Sequence, residues 1–307
     1  MAPIASASPA RLDQDAQLPF VSTGAFQAGT LREVIDLALD GGFSRIELAS
    51  GTRWEPELLA PIRETAGRSI RYLVHNYFPP HEQPFVLNLA SADAAMIARS
   101  LDHCRTAVDL CVEVGAPFFS VHSGFAFHAR PEDLGRDLTQ APRVTVERAH
   151  EIFVESLSEL CTYASARGVV VAIENNVLTP FNLVNGANRM LLCTTAREMV
   201  STYDDVGSSN LGFLIDVGHL KVTAATLGFD PHAFLDEVAP HVVAVHVSDN
   251  DGTADRNLPF DDDAWFVPRL VEFPRAAVVV EAYDLECEQI REACRIVDRA
   301  RQRRVSV

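Results

Sequence analysis

Four valine-rich runs in the second half of the chain each end in a residue that can ligate a metal: VVVAIE at Glu174, LGFLID at Asp216, VVAVH at His246 and VVVE at Glu281. Short apolar runs rich in β-branched residues mark buried parallel strands. The polar residues that end them then gather at the C-terminal edge of the sheet, where parallel α/β proteins carry their chemistry. The intervals of 42, 30 and 35 residues each leave room for a loop, a helix and the next strand, which is the length of a βα unit.

Runs of the same type precede these at Val21 to Phe26, Arg45 to Ala49, Arg71 to His75 and Phe118 to His122, which makes eight strands in all. Between them, Leu31 to Leu39, Ala94 to Val114 and Glu147 to Ala166 carry apolar residues at helical spacing. Three of the helices are followed by glycine just before a strand (GGFSRIEL, VGAPFFSVH, RGVVVAIE), where a left-handed residue lets the chain turn back. Eight βα repeats in 307 residues predict an α/β protein with a single (β/α)8 TIM barrel. An open doubly wound sheet is the competitor, but STGAFQAG stands after the first strand where G-x-G-x-x-G would be needed. No linker-like stretch divides the chain, so residues 18–307 are assigned to the barrel and residues 1–17 to a loose N-terminal tail.

The hydrophobic fraction of 48% is ample for a large core. The N-terminus has neither the basic start nor the apolar stretch of a signal peptide, and no run approaches a membrane span. The six cysteines form no C-x-x-C pair and read as reduced, mostly buried thiols, which together with the N-terminus predicts a cytoplasmic protein. A net charge of −16, offset only by RARQRR near the C-terminus, disfavours nucleic acid as a partner.

Glu174, Asp216, His246 and Glu281 together offer three carboxylates and one imidazole. That mixed shell suits one divalent ion (Mn, Co, Mg or Zn) rather than a thiolate-seeking metal. An acid at a single strand end is commonly a salt-bridge partner or helix cap; four ligand-type residues at successive strand ends point to a metal centre.

With its E…D-x-x-H…H…E pattern carried by Glu174, Asp216 with His219, His246 and Glu281, the chain resembles the xylose-isomerase-like TIM-barrel superfamily from VSTGAF to VVVEAY. That superfamily holds sugar isomerases and epimerases, inosose dehydratases and endonuclease-IV-type repair enzymes. The resemblance implies that the two glutamates, the aspartate and His246 bind the ion, and that His219 contacts substrate. In the repair branch, further histidines on the third and fourth strands and a D-x-H after the seventh complete a three-zinc site. Here His75 and His122 stand at the matching strands, but Asp255-Arg256-Asn257 lacks the last histidine. His75 and His122 read either as hydrogen-bonded core histidines or as substrate-binding pocket residues.

This set supports proton transfer beside a carbonyl, with the ion stabilising an enediolate and Glu174 and Glu281 as the acid/base pair. Epimerisation, aldose–ketose isomerisation and dehydration share that apparatus. The expected partner is a small polyhydroxy carbonyl compound (a sugar, sugar phosphate or cyclitol), with homo-oligomerisation left open. Lys221, the sole lysine, and Arg256 are candidates to hold a substrate anion, and Trp54 in GTRWEP to stack on a sugar face; each reads equally as an ordinary loop residue. HNYFPPHEQPFVLNLAS has the length of a pocket cover, SDNDGTADRNLPFDDDAWF reads as a solvated lid, and His103, His150 and His232 are expected to face solvent.

Overall fold

A computed structural model describes residues 18–49, 51–133 and 135–302; the tail expected over 1–17 lies outside the described residues. Eight parallel strands close into a barrel in chain order: β1 (Phe20–Ser22), β2 (Arg45–Leu48), β3 (Arg71–His75), β4 (Phe118–His122), β5 (Val170–Glu174), β6 (Leu211–Asp216), β7 (Val242–Val247) and β8 (Ala277–Val280). The surrounding helices are α1 (Leu31–Gly41), α2 (Ala60–Thr65), α3 (Ala94–Val114), α4 (Val146–Ser165), α5 (Ala196–Val206), α6 (Val217–Leu227), α7 (Pro231–Val238) and α8 (Cys287–Gln302). No helix among the described residues is long and apolar enough to cross a membrane.

The strands predicted from apolar runs fall within a residue or two of their observed positions, with β1 the exception. It ends at Ser22, whose hydroxyl accepts from Gly24 N–H as Thr23–Ala25 wind into a 3-10 turn. Helices begin at residues whose side chains accept from orphan N–H groups: Thr30 and Thr195 form capping boxes with Glu33 and Glu198, and Asp93 and Thr145 cap α3 and α4. Gly42 and Gly115 end α1 and α3 at φ of 76° and 73°, a left-handed geometry that glycine adopts without steric penalty.

The core lies between the barrel wall and the helix ring, filled by side chains such as Phe119, Phe153 and Phe213 that are fully buried. Four of the six cysteines are buried and none is disulfide-bonded. At the C-terminal mouth the loop after β4 is bridged to the loop after β5 by Phe125↔Leu191 and to itself by Phe127↔Arg143, and Phe127, Ala129 and Met190 form a small buried apolar cluster there. Gly124 sits where a Cβ would come 2.4 Å from Ala90 Cβ and 3.2 Å from the Phe153 ring. Loop and helix therefore share one packed contact.

Phe153→Ala removes a fully buried ring at that contact and is expected to lower the unfolding free energy by about 3–5 kcal/mol. Denaturant unfolding checks this; a loss under about 1 kcal/mol, the size of a typical surface effect, would show that α4 is not packed as described.

Candidate metal centre

Strand register decides which side chains meet. Asp216 pairs with His246 across β6 and β7, and His122 pairs with Glu174 across β4 and β5. Glu281 follows β8, and its N–H donates to Val247 O at 3.0 Å. One ligand atom from each of Glu174, Asp216, His246 and Glu281 lies within 4.8 Å of the others, and all four residues are buried. Donors on opposite sides of an ion with bonds of roughly 2.0–2.2 Å stand at most about 4.4 Å apart. The four side chains therefore need to close by only a few tenths of an ångström to form a shell.

Several polar atoms facing that space lack a well-formed hydrogen bond to the scaffold. Asp216 Oδ2 is buried and makes no hydrogen bond among the described residues, and Glu174 Oε1 and Oε2 and His246 Nδ1, equally buried, meet only the imidazoles and carboxylates of the cluster itself. Buried polar atoms are nearly always satisfied, so a cluster of such atoms fits a cation. The remaining atoms of Asp216 and His246 are fixed from behind. Asp216 Oδ1 accepts from His219 N–H at 2.8 Å and so caps α6, which leaves Oδ2 for the shell. That is the physical content of the D-x-x-H spacing: the N-cap and the third helical residue are bonded neighbours. Asn175 clamps the same strand end, accepting from Asp216 N–H at 2.8 Å and donating to Asp216 O at 3.0 Å. Gly218 lets the loop after β7 approach, since a Cβ there would lie 2.6 Å from Ser248 Oγ and 2.8 Å from Asn250 Nδ2.

His246 Nε2 lies 3.1 Å from Glu47 Oε1, while Nδ1 lies 2.6 Å from Glu281 Oε2 and 3.7 Å from Glu174 Oε1. Donating Nε2–H to Glu47 leaves the Nδ1 lone pair for an ion, the carboxylate–imidazole–metal arrangement of many metalloenzymes. Glu47 was not among the residues singled out from sequence. It sits inside RIEL rather than at the end of an apolar run, and its partner is 199 residues away. The available signal was an ionisable residue between Ile46 and Leu48 in a buried strand.

Charge in the site is tightly balanced. Burial pushes the Glu174 carboxyl up, but the fields of His122, His75 and His219 override it and hold it well below the usual range. Burial likewise opposes ionisation of Glu281, yet His246 brings it down to about 2. Asp216 is pushed well above its ordinary value by burial, with Glu281 and Glu174 adding to the effect against His219. Burial works against a charged His246, but Glu281 and Glu47 raise it well above an ordinary histidine. Glu47 is itself raised by burial.

The other candidates fall into two groups. His75 Nε2 and His122 Nε2 lie 3.4 and 3.1 Å from Glu174 Oε2, and these three residues form a second group with metal-ligand geometry. His75 is buried, with its pKa lowered to about 3 by burial, whereas the His122 side chain is 43% exposed toward the mouth. His219 Nδ1 lies 3.0 Å from Asn175 O and Nε2 lies 3.2 Å from Asp255 Oδ2. Lys221 and Arg256 are engaged by acids instead: Lys221 Nζ by Asp249 at 2.6 Å, Arg256 Nη1 by Asp251 at 3.3 Å. Trp54 is 41% exposed and lines a cavity with Tyr77. Asn257, where a third-site histidine would stand, accepts from Ser248 Oγ at 3.2 Å. The expectation that His103 faces solvent is wrong: it is buried, stacks on Tyr77 and bonds Asn76 O and His81. The loop after β3 folds onto α3 and covers it. His150 is half-buried against Asp205, and His232 is exposed.

Two outcomes test the shell. An ion requires Asp216 ionised and His246 Nδ1 bare, whereas burial and the neighbouring glutamates raise the proton affinity of Asp216 and, against burial, Glu281 and Glu47 raise that of His246, so binding should release protons and tighten as pH rises. Calorimetry with Mn in buffers of different ionisation heat measures this, and zero release contradicts it. Glu47→Gln should weaken the ion by about 10–100-fold without abolishing binding; unchanged affinity would remove Glu47 from the centre.

Comparison with known proteins places this geometry. The family model described as xylose isomerase-like TIM barrel matches residues 35–286. Fructoselysine 3-epimerase of Shigella flexneri is 26% identical over 248 residues, covering 76% of this chain and 78% of that protein. Among solved structures, a D-tagatose 3-epimerase-like protein superposes with a TM-score of 0.68 at 20% identity, covering 92% of this chain and 98% of that one. A barrel protein from Mycobacterium smegmatis in complex with magnesium superposes with a TM-score of 0.62 at 15% identity, covering 92% and 98%. With its closed barrel, its buried acid-and-imidazole cluster and a family match across most of its length, the chain belongs to the xylose isomerase-like TIM barrel family.

Proposed function

We propose that the chain is a divalent-metal-dependent sugar epimerase that moves a proton at the carbon beside a ketone. The observation that carries this reading is the pair Glu174 and Glu281, reaching one shell from β5 and from the end of β8, both in contact with His246 Nδ1. The name of the fructoselysine 3-epimerase relative supports the reaction class, and the magnesium complex of the M. smegmatis relative supports a divalent ion.

Glu174, Asp216, His246 and Glu281 would hold the ion, which supplies Lewis acidity to a ketone oxygen and the neighbouring hydroxyl. Glu174 and Glu281 are both held in the carboxylate form at neutral pH, so either can accept the proton from the carbon between those oxygens. The C–H electron pair moves into a cis-enediolate; the other glutamate takes up a proton from solvent and delivers it to the opposite face, and the first glutamate releases its proton to solvent to reset the site. His219 keeps Nδ1 on Asn175 O and presents Nε2 toward the mouth beside Asp255, placed to bond a sugar hydroxyl. His122, half-exposed next to Glu174, stands where it can bond the substrate as well. Loss of a β-hydroxyl from the same enediolate would be dehydration.

A second reading, a repair-type phosphodiesterase, draws on the His75, His122 and Glu174 group, which could take another ion. Asn257, spent on Ser248, and the net charge of −16 speak against a phosphodiester polyanion.

Incubation with ketoses in deuterated water decides between these. The expected result is deuterium at C3 with appearance of the C3 epimer, and about one divalent ion per chain by elemental analysis. New unsaturation means dehydration, and two or more ions with cleavage of abasic DNA means the second reading. Glu174→Gln and Glu281→Gln should each lower turnover by about 100-fold or more, while only one of them abolishes exchange into a given epimer. Undiminished exchange in both would show that neither glutamate handles the proton.

A further inference from the structure

The ligands of the shell come from β5, β6, β7 and the end of β8, which leaves the β1–β4 half of the mouth for substrate. In that half, the loops after β2 and β3 enclose a cavity of about 430 Å³. Its lining includes Ala49 and Tyr77, each two residues along the chain from a side chain of the centre, Glu47 and His75. Two residues advance at most about 6–7 Å even when extended, and the left-handed Asn76 (φ 45°) shortens the step after β3. A single sugar held at the shell through its C2 and C3 oxygens would therefore reach the cavity's threshold without filling it.

The cavity has two kinds of wall. Trp54, Tyr77 and Pro84 give flat apolar surface, with the Trp54 indole 41% exposed. Arg53, His81 and Glu82 supply donors and acceptors, and the buried Thr52 hydroxyl has no hydrogen-bond partner among the described residues. Apolar faces ringed by hydrogen-bonding groups suit a pyranose ring, whose C–H faces stack on aromatic surface while its hydroxyls point to the rim. The rim carries both signs of charge, so it does not select an anion. The β3 loop is also braced rather than loose: Tyr77 Oη accepts from Phe85 N–H at 2.9 Å, Tyr77 stacks on His103, and His81 bonds His103 at 3.0 Å. A braced wall presents a formed pocket, which lowers the ordering cost of binding.

We propose that this cavity is a subsite for a second sugar ring, so that the substrate is a glycosylated ketose whose ketose unit reacts at the shell while its other ring stacks on Trp54. This rests on the epimerase reading for the reacting unit, but the cavity can be tested without turnover. The chain has two tryptophans, and in a Trp265→Phe background Trp54 is the sole reporter. Titration of the metal-loaded full chain with isomaltulose, a fructose carrying glucose on O6, should give a saturable change in Trp54 fluorescence that D-fructose does not give at equal concentration. In deuterium exchange at C3, kcat/KM for isomaltulose should exceed that for D-fructose by about tenfold or more, and Trp54→Ala should bring the ratio to near one, mainly through KM. A fluorescence response without exchange from any ketose would keep the subsite and remove the epimerase reading. No response to isomaltulose, an equal response to fructose, or exchange that favours neither sugar would overturn the subsite.

Discussion

Mutual repulsion among buried carboxylates governs the mouth of this barrel. Glu174, Asp216 and Glu281 bring carboxylate oxygens within 4.8 Å of one another with almost no access to water. At that separation each ionised pair is unfavourable by about 3–4 kcal/mol even at an effective dielectric of 20. Three such pairs approach the whole stability of a typical domain, so the fold must balance them. His219 and His246, both raised well above an ordinary histidine, stand among the carboxylates as counter-charges, with His75 and His122 in contact with Glu174. The balance is incomplete: burial and the neighbouring glutamates push the Asp216 carboxyl well above its ordinary value, and buried carboxylate oxygens make no hydrogen bond among the described residues. A divalent ion bound among these oxygens would complete it.

The framework around the centre follows from this constraint. Two of the ligands have one atom tied to the scaffold and another turned to the cluster: Asp216 divides its oxygens between the cap of α6 and the shell, and His246 divides its nitrogens between Glu47 and the shell. Shell geometry is thus set by helix capping and strand register, the stiffest parts of the protein, rather than by loops. Glycine at 218 belongs to the same design, since any side chain there would push Ser248 and Asn250 away from the strand end.

Strand ends carried most of what could be read from sequence. A parallel strand buried on both sides must be an apolar run, and the one polar residue tolerated at its end is conspicuous, which is why Glu174, Asp216, His246 and Glu281 stood out and the structure brings them together. Residues whose roles depend on distant partners were illegible. Glu47 lies mid-strand and is explained only by His246; Asn175 is explained only by the backbone of Asp216. His103 sits on a helix face that local periodicity leaves open and that the loop after β3 covers. Lys221 and Arg256 looked free because their partners, Asp249 and Asp251, belong to a loop whose path the sequence does not specify.

The central claim is that one divalent ion sits among Glu174, Asp216, His246 and Glu281, with His246 bound through Nδ1. Anomalous diffraction from manganese-loaded crystals tests it directly. The expected result is a peak about 2.0–2.4 Å from those four side chains, with Glu47 on His246 Nε2 outside the first coordination sphere. A peak bound instead by Glu47, or manganese elsewhere with this cluster empty, would contradict it.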